Sequence, residues 1–237
     1  MSTYVLIHGA WHGGWCWHRI VARLQRAGHS VVAPDLLSLG IDSTSASRVS
    51  LARWTTQIAT LIQSASEPVA LVGHSRGGIV LSAVAEKIPD RIRVLVYVSA
   101  FLLEDGVSML DAAARIPESL VPPAMIISED HLSATLRTDA IREAFYGRCD
   151  DDDVALAMSL LKPEPLAPLA TPVRVSVERF GSVPRVYIEC SADRAITHAA
   201  QREMQSALPC RERFTLDTDH SPFFSCPDEL TALLLRA

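Results

Sequence analysis

A chain of 237 residues, 49% of them hydrophobic, is long enough to bury one large core. Its 22 basic and 27 acidic residues leave a net charge of −5, without the positive excess that nucleic-acid binding demands. No apolar run is long enough to cross a membrane.

A strand pattern follows the first methionine at once, leaving no room for a signal peptide. Five scattered cysteines (Cys16, Cys149, Cys190, Cys210, Cys226) fit reduced thiols, and the expected compartment is the cytoplasm. From there strands and helices alternate. Short apolar runs predict strands at 3–8, 30–34, 68–72, 93–98, 185–190 and 212–216, with helices at 17–27, 51–64, 77–88, 194–207 and 227–236. That rhythm predicts an α/β fold with a mostly parallel, doubly wound sheet. It breaks between 104 and 182, a region rich in proline, from Pro117 to Pro172, with helix-like pieces at Asp139–Tyr146 and Val154–Leu161. The expected organisation is therefore a core of residues 1–103 and 183–237, with 104–182 inserted as a mainly helical cap over the site. The acidic run Asp150–Asp153 precedes a helix, whose positive end favours such charges.

Gly73-His74-Ser75-Arg76-Gly77 reads G-x-S-x-G between a predicted strand and a predicted helix. In that context the serine sits on a sharp turn and becomes a nucleophile. It needs a base and an orienting acid, in the order Ser, Asp or Glu, His. His220 stands in a polar loop after the last strand and is assigned as base; His198 lies in a helical pattern, and His131 in the middle region. Asp193 leaves the strand at 185–190 and is preferred as acid. Its rivals are Asp105, which also follows a strand, and Asp219, which reads as a turn residue. The oxyanion donors are expected to be the amides of Arg76, next to the serine, and of Ala10, in the glycine-rich loop after the first strand.

The loop His8-Gly9-Ala10-Trp11-His12-Gly13-Gly14-Trp15-Cys16-Trp17, the elbow Gly-His-Ser-Arg-Gly-Gly and the stretch Tyr187 to Asp193 together resemble the α/β-hydrolase fold. More narrowly they resemble bacterial esterases related to plant methyl-ester esterases and hydroxynitrile lyases. The stretch Pro163 to Pro172 also looks typical of the bacterial members, and the likeness spans almost the whole chain. The resemblance implies the same assignments: Ser75 nucleophile, Asp193 acid, His220 base, and the amides of Ala10 and Arg76 as oxyanion donors. The lyases it resembles carry threonine where Gly9 stands, glutamate where His74 stands and lysine where Ser221 stands. A lysine there would hold a departing cyanide, and Ser221 cannot, so the sequence sides with ester hydrolysis.

The expected activity is a serine carboxylesterase acting on a neutral, hydrophobic small-molecule ester, with no metal or organic cofactor. The alternatives are a hydroxynitrile-lyase-like C–C lyase and a weakly catalytic small-ligand receptor. Candidate substrate contacts are Trp11, His12, Phe101, Met125, Phe145 and Phe223, with Leu102, Tyr146, Leu160 and Phe224 as further apolar candidates. Arg76 stands beside the nucleophile, where its side chain either stays on the helix or reaches toward a substrate carboxylate. No nucleic acid or membrane partner is expected; a homodimer through the cap or last helix is an open expectation.

Overall fold

The segment Val69–His74 is buried at every position, as a strand covered on both faces requires. It lies inside a six-stranded sheet seen in the computed structural model, which describes all residues, Met1–Ala237. In chain order the first half comprises β1 (Thr3–Ile7), α1 (His18–Arg26), β2 (Ser30–Val32), α2 (Leu51–Gln63), β3 (Val69–His74), α3 (Gly77–Lys87) and β4 (Ile92–Val98). The inserted region carries α4 (Met109–Ala113), β5 (Met125–Ile127), β6 (Ser133–Leu136), α5 (Thr138–Phe145), α6 (Asp151–Leu160), β7 (Glu164–Pro165) and α7 (Leu166–Ala170). The chain returns through β8 (Arg185–Cys190), α8 (His198–Ala207), β9 (Glu212–Leu216), α9 (Pro222–Ser225) and α10 (Pro227–Arg236).

The sheet order is β2-β1-β3-β4-β8-β9, all parallel, with Tyr4 opposite Ala70 and Ile7 opposite Gly73. Alternate strand residues feed two cores, because successive side chains point to opposite faces. Val5, Ile7 and Leu71 join α2 and α3 on one face; Tyr4, Leu6, Ala70 and Val72 join α1 and α10 on the other. In the second core Ile20, Leu24, Leu230 and Leu234 have no exposed surface. Each such side chain contributes about 2 kcal/mol of apolar burial. From β1 the chain steps outward to β2, then crosses back to β3. The loops leaving β1 and β3 therefore diverge and open a crevice at the carboxyl ends of neighbouring strands.

Two element boundaries differ from the sequence reading for local reasons. The helix expected from 194 starts at His198, because the Asp193 carboxylate takes the amides of Ala195 and Ile196, and the Arg194 carbonyl accepts from Leu120 N. The helix expected from Val154 starts at Asp151, because the Asp150 side chain accepts from the Asp153 amide at 2.8 Å. Asp153 also forms a two-pronged ion pair with Arg19 of α1 at 2.7 and 2.8 Å. The acidic run thus caps a helix and ties it to the core. Besides its helices, the inserted region holds a small antiparallel sheet, β5-β6-β7, which periodicity did not reveal in strands this short. No helix is long and apolar enough to cross a membrane.

Candidate active site

Ser75 follows β3 directly and has φ of +53°, a left-handed conformation that a serine adopts only under constraint. The constraint comes from its own carbonyl, which accepts from Gly78 N at 3.1 Å and Phe101 N at 3.0 Å. The glycine after the elbow is demanded by close approach: a Cβ on Gly78 would lie 2.2 Å from the Phe101 carbonyl oxygen. α3 then runs away from Ser75, its positive end toward the serine.

His220 lies in the loop after β9. Its Nδ1 donates to Asp193 Oδ2 at 2.6 Å, which leaves Nε2 as the free proton acceptor. Both side chains are buried. Asp193 is held in turn by the amides of Ala195 (2.7 Å) and Ile196 (2.9 Å) on Oδ1, and by the Ser99 hydroxyl on Oδ2. Ser99 sits at the end of β4, with φ of +39°. Asp105, the rival acid, is exposed and faces Arg174. Asp219 braces the His220 loop: its carboxylate accepts from Ser221 N, Ser225 Oγ and, from the inserted region, Arg148 N. His198 bonds Glu189 at 2.8 Å, and His131 is exposed.

Three further buried imidazoles shape the loop after β1. Leu36 N donates to His8 Nε2 at 3.1 Å, so His8 Nδ1 carries the proton and donates to Gly9 O at 2.9 Å. His12 Nδ1 donates to Ala10 O at 2.7 Å, and its Nε2 accepts from Tyr146 OH at 2.6 Å. His74 Nε2 donates to the carbonyl of His220 at 2.7 Å. Burial lowers all three pKa values, that of His12 to about 4, and the charge of Arg76 pushes His8 and His12 the same way. At neutral pH they are uncharged, single-donor rings. A Cβ on Gly9 would come within 2.7 Å of His74 Nδ1 and 3.1 Å of Ser75 Cβ. A threonine at that position would therefore press on both the His74 ring and the Ser75 side chain.

Ser75 opens onto a cavity of about 30 Å³ lined by Trp11, Phe101, Met109, Ala113, Ser119, Val121, Pro122, Phe145, Ala195 and Ile196. None of these side chains is charged. Of the six residues proposed to touch substrate, Trp11, Phe101 and Phe145 form the wall. His12, Met125 and Phe223 do not: His12 is occupied by Ala10 and Tyr146, Met125 starts β5, and Phe223 packs 5.0 Å from the His74 ring. Apolar character marks Met125 and Phe223 in the sequence, but not the direction in which each faces. The walls missed from sequence come largely from the inserted region, including Met109 and Ala113 of α4. Ser108 caps that helix by accepting from Asp111 N at 3.1 Å, a start signal that Ser108 and Asp111 do carry in the sequence.

Arg76 turns away from the cavity. Its guanidinium has no exposed surface, stacks 4.4 Å over Trp54, lies 3.0 Å from the Glu164 carboxylate and donates to Gly9 O at 2.8 Å. It is therefore not free to meet a substrate carboxylate. Glu164 stands in a stretch the sequence singles out only for its family likeness, and nothing in Pro163-Glu164-Pro165 shows that the carboxylate is buried.

The alpha/beta hydrolase family matches residues 4–233 of this chain. Methylesterase 2 of Arabidopsis thaliana is 34% identical across 98% of this chain and 94% of its own length; methylesterase 1 of the same plant is 32% identical over the same shares. Among solved structures, a pyrethroid hydrolase from Sphingobium faniae superposes with a TM-score of 0.89 at 27% identity, covering 99% of this chain and 96% of that one. The chain thus belongs to the alpha/beta hydrolase family, as a carboxylesterase-type hydrolase related to the plant methylesterases.

Proposed function

We propose that the chain hydrolyses a neutral, hydrophobic small-molecule ester through a Ser75–His220–Asp193 acyl-enzyme mechanism. The observation that carries this reading is Ser75, in a left-handed turn, opening onto an uncharged cavity. His220 Nε2 takes the Ser75 proton as Oγ attacks the ester carbonyl, and Asp193 holds the imidazole in the tautomer this requires. The amides of Ala10 and Arg76 receive the oxyanion; losing one such donor costs on the order of 3 kcal/mol. His220 then protonates the leaving alcohol, and water repeats the attack on the acyl-enzyme. No metal or organic cofactor enters these steps.

The cavity at Ser75 is small and uncharged, which favours a short, neutral acyl group over a long one. Against a lyase, Ser221 is fully buried and uncharged, and the nearby cation, Arg76, is already engaged.

The test is hydrolysis of p-nitrophenyl acetate, butyrate and octanoate by the wild type and Ser75→Ala. Turnover that favours acetate and disappears in the variant is the expected result. No turnover of any ester by the wild type would overturn the esterase reading, and cyanide release or tight ligand binding would then identify the lyase or the receptor.

A further inference from the structure

Arg76 and Glu164 have no exposed surface, although each carries a charge. Burial drives the Arg76 pKa down and the Glu164 pKa up, each against the pull of its partner. Replacing such a buried pair with neutral side chains of similar shape is often neutral or stabilising. Stability is therefore a poor reason for the pair to be here, and its contacts suggest another.

Arg76 Nη2 donates at 2.8 Å to the carbonyl of Gly9, and that carbonyl belongs to the same peptide as the Ala10 N–H. Across a trans peptide the two groups point in opposite directions, so gripping one end aims the other. A cation on the oxygen also draws electron density from the amide and makes its N–H a stronger donor. The next two peptides are held too: Glu164 Oε2 accepts from Trp11 N at 2.7 Å, and Lys162 N donates to Trp11 O at 2.9 Å. Trp11 has φ of +62°, a conformation that needs such restraint. The Trp11 ring nitrogen donates to Ala134 O at 2.9 Å, so the loop is fastened to the inserted region at both backbone and side chain.

We propose that Arg76 and Glu164 are positioning residues for the oxyanion hole. The Arg76 side chain aims and polarises the Gly9–Ala10 peptide, while Glu164, from the inserted region, holds both Arg76 and the Trp11 amide in place. Arg76 then acts twice, through its own amide as one donor and through its guanidinium on the peptide that supplies the other. This inference rests on the oxyanion donors assigned above.

The decisive variant is the double substitution Arg76→Met with Glu164→Gln. It removes both charges, keeps an acceptor for Trp11 N, and leaves Gly9 O bonded to His8. With p-nitrophenyl acetate, kcat and kcat/KM are expected to fall together by about tenfold, a fraction of the loss of a whole donor. The melting temperature stays equal or rises. In the isotope-edited infrared spectrum of the Ser75 acyl-enzyme, the ester carbonyl stretch moves to higher frequency as its hydrogen bonding weakens. An unchanged kcat, or a lower kcat with an unmoved carbonyl stretch, overturns the proposal.

Should the double variant fail to fold, Arg76→Lys carries the test. It keeps the charge but cannot reach both Glu164 and Gly9, so the same shift in carbonyl stretch is expected, and its absence overturns the proposal. An acyl-enzyme that does not form on Ser75 even in the wild type would instead sink the site assignment.

Discussion

Acid weakens this fold through its buried imidazoles, and His12 sets the scale. Burial is the main cause of its pKa of about 4, aided by the charges of His220 and Arg76, while the bond to Ala10 O opposes the shift. In the unfolded chain the same ring titrates near 6.5. The unfolded state therefore binds the proton first, so stability is full above about pH 6.5 and is lost progressively down to about pH 4. At 1.36 kcal/mol per pH unit the whole effect is roughly 3 kcal/mol, of which about 2 kcal/mol is gone by pH 5. His8 and His74 are displaced in the same direction and add to the loss.

The assay is urea unfolding at pH 7 and pH 5 for the wild type and His12→Asn. Asparagine keeps a donor for Ala10 O and does not titrate. The stability lost between the two pH values is expected to be smaller in the variant by about 2 kcal/mol. Equal losses in both proteins would refute the claim that His12 is held neutral by burial.

Ser99→Ala removes the hydroxyl from Asp193 Oδ2 and is expected to slow kcat roughly tenfold, since a bond to a charged group is worth about 1.5 kcal/mol. A kcat within twofold of wild type would assign Ser99 to packing alone. Gly78→Ala forces a methyl to within 2.2 Å of the Phe101 carbonyl and is expected to destabilise by about 3 kcal/mol in urea. An unaltered urea midpoint would show that the elbow can relax. Met109→Ala enlarges the cavity beside Ser75 and is expected to raise the kcat/KM of p-nitrophenyl butyrate relative to acetate by about tenfold. An unchanged ratio would place the acyl group elsewhere.

The sheet strands were legible because each is a local run of apolar residues: β4, β8 and β9 fall within a residue of the predicted spans. The inserted region's small sheet was not, because strands of two to four residues carry too few side chains to show a period. Among the candidate walls, Trp11, Phe101 and Phe145 face the cavity while His12, Met125 and Phe223 pack elsewhere, and nothing local separates the two groups. Both are apolar or aromatic residues near the same loops. Only their neighbours decide which way they turn.

The elbow, the loop after β1 and the order of serine, aspartate and histidine are written in the sequence, because tight turns and strand ends impose residue types over a few positions. The tertiary structure alone decided where the Arg76 side chain goes and that Glu164 answers it. That pair joins residues 76 and 164, whose encounter depends on the inserted region folding back over β1 and β3. A buried charge is stable only beside its partner, and a partner so distant in the chain leaves no trace in the local pattern.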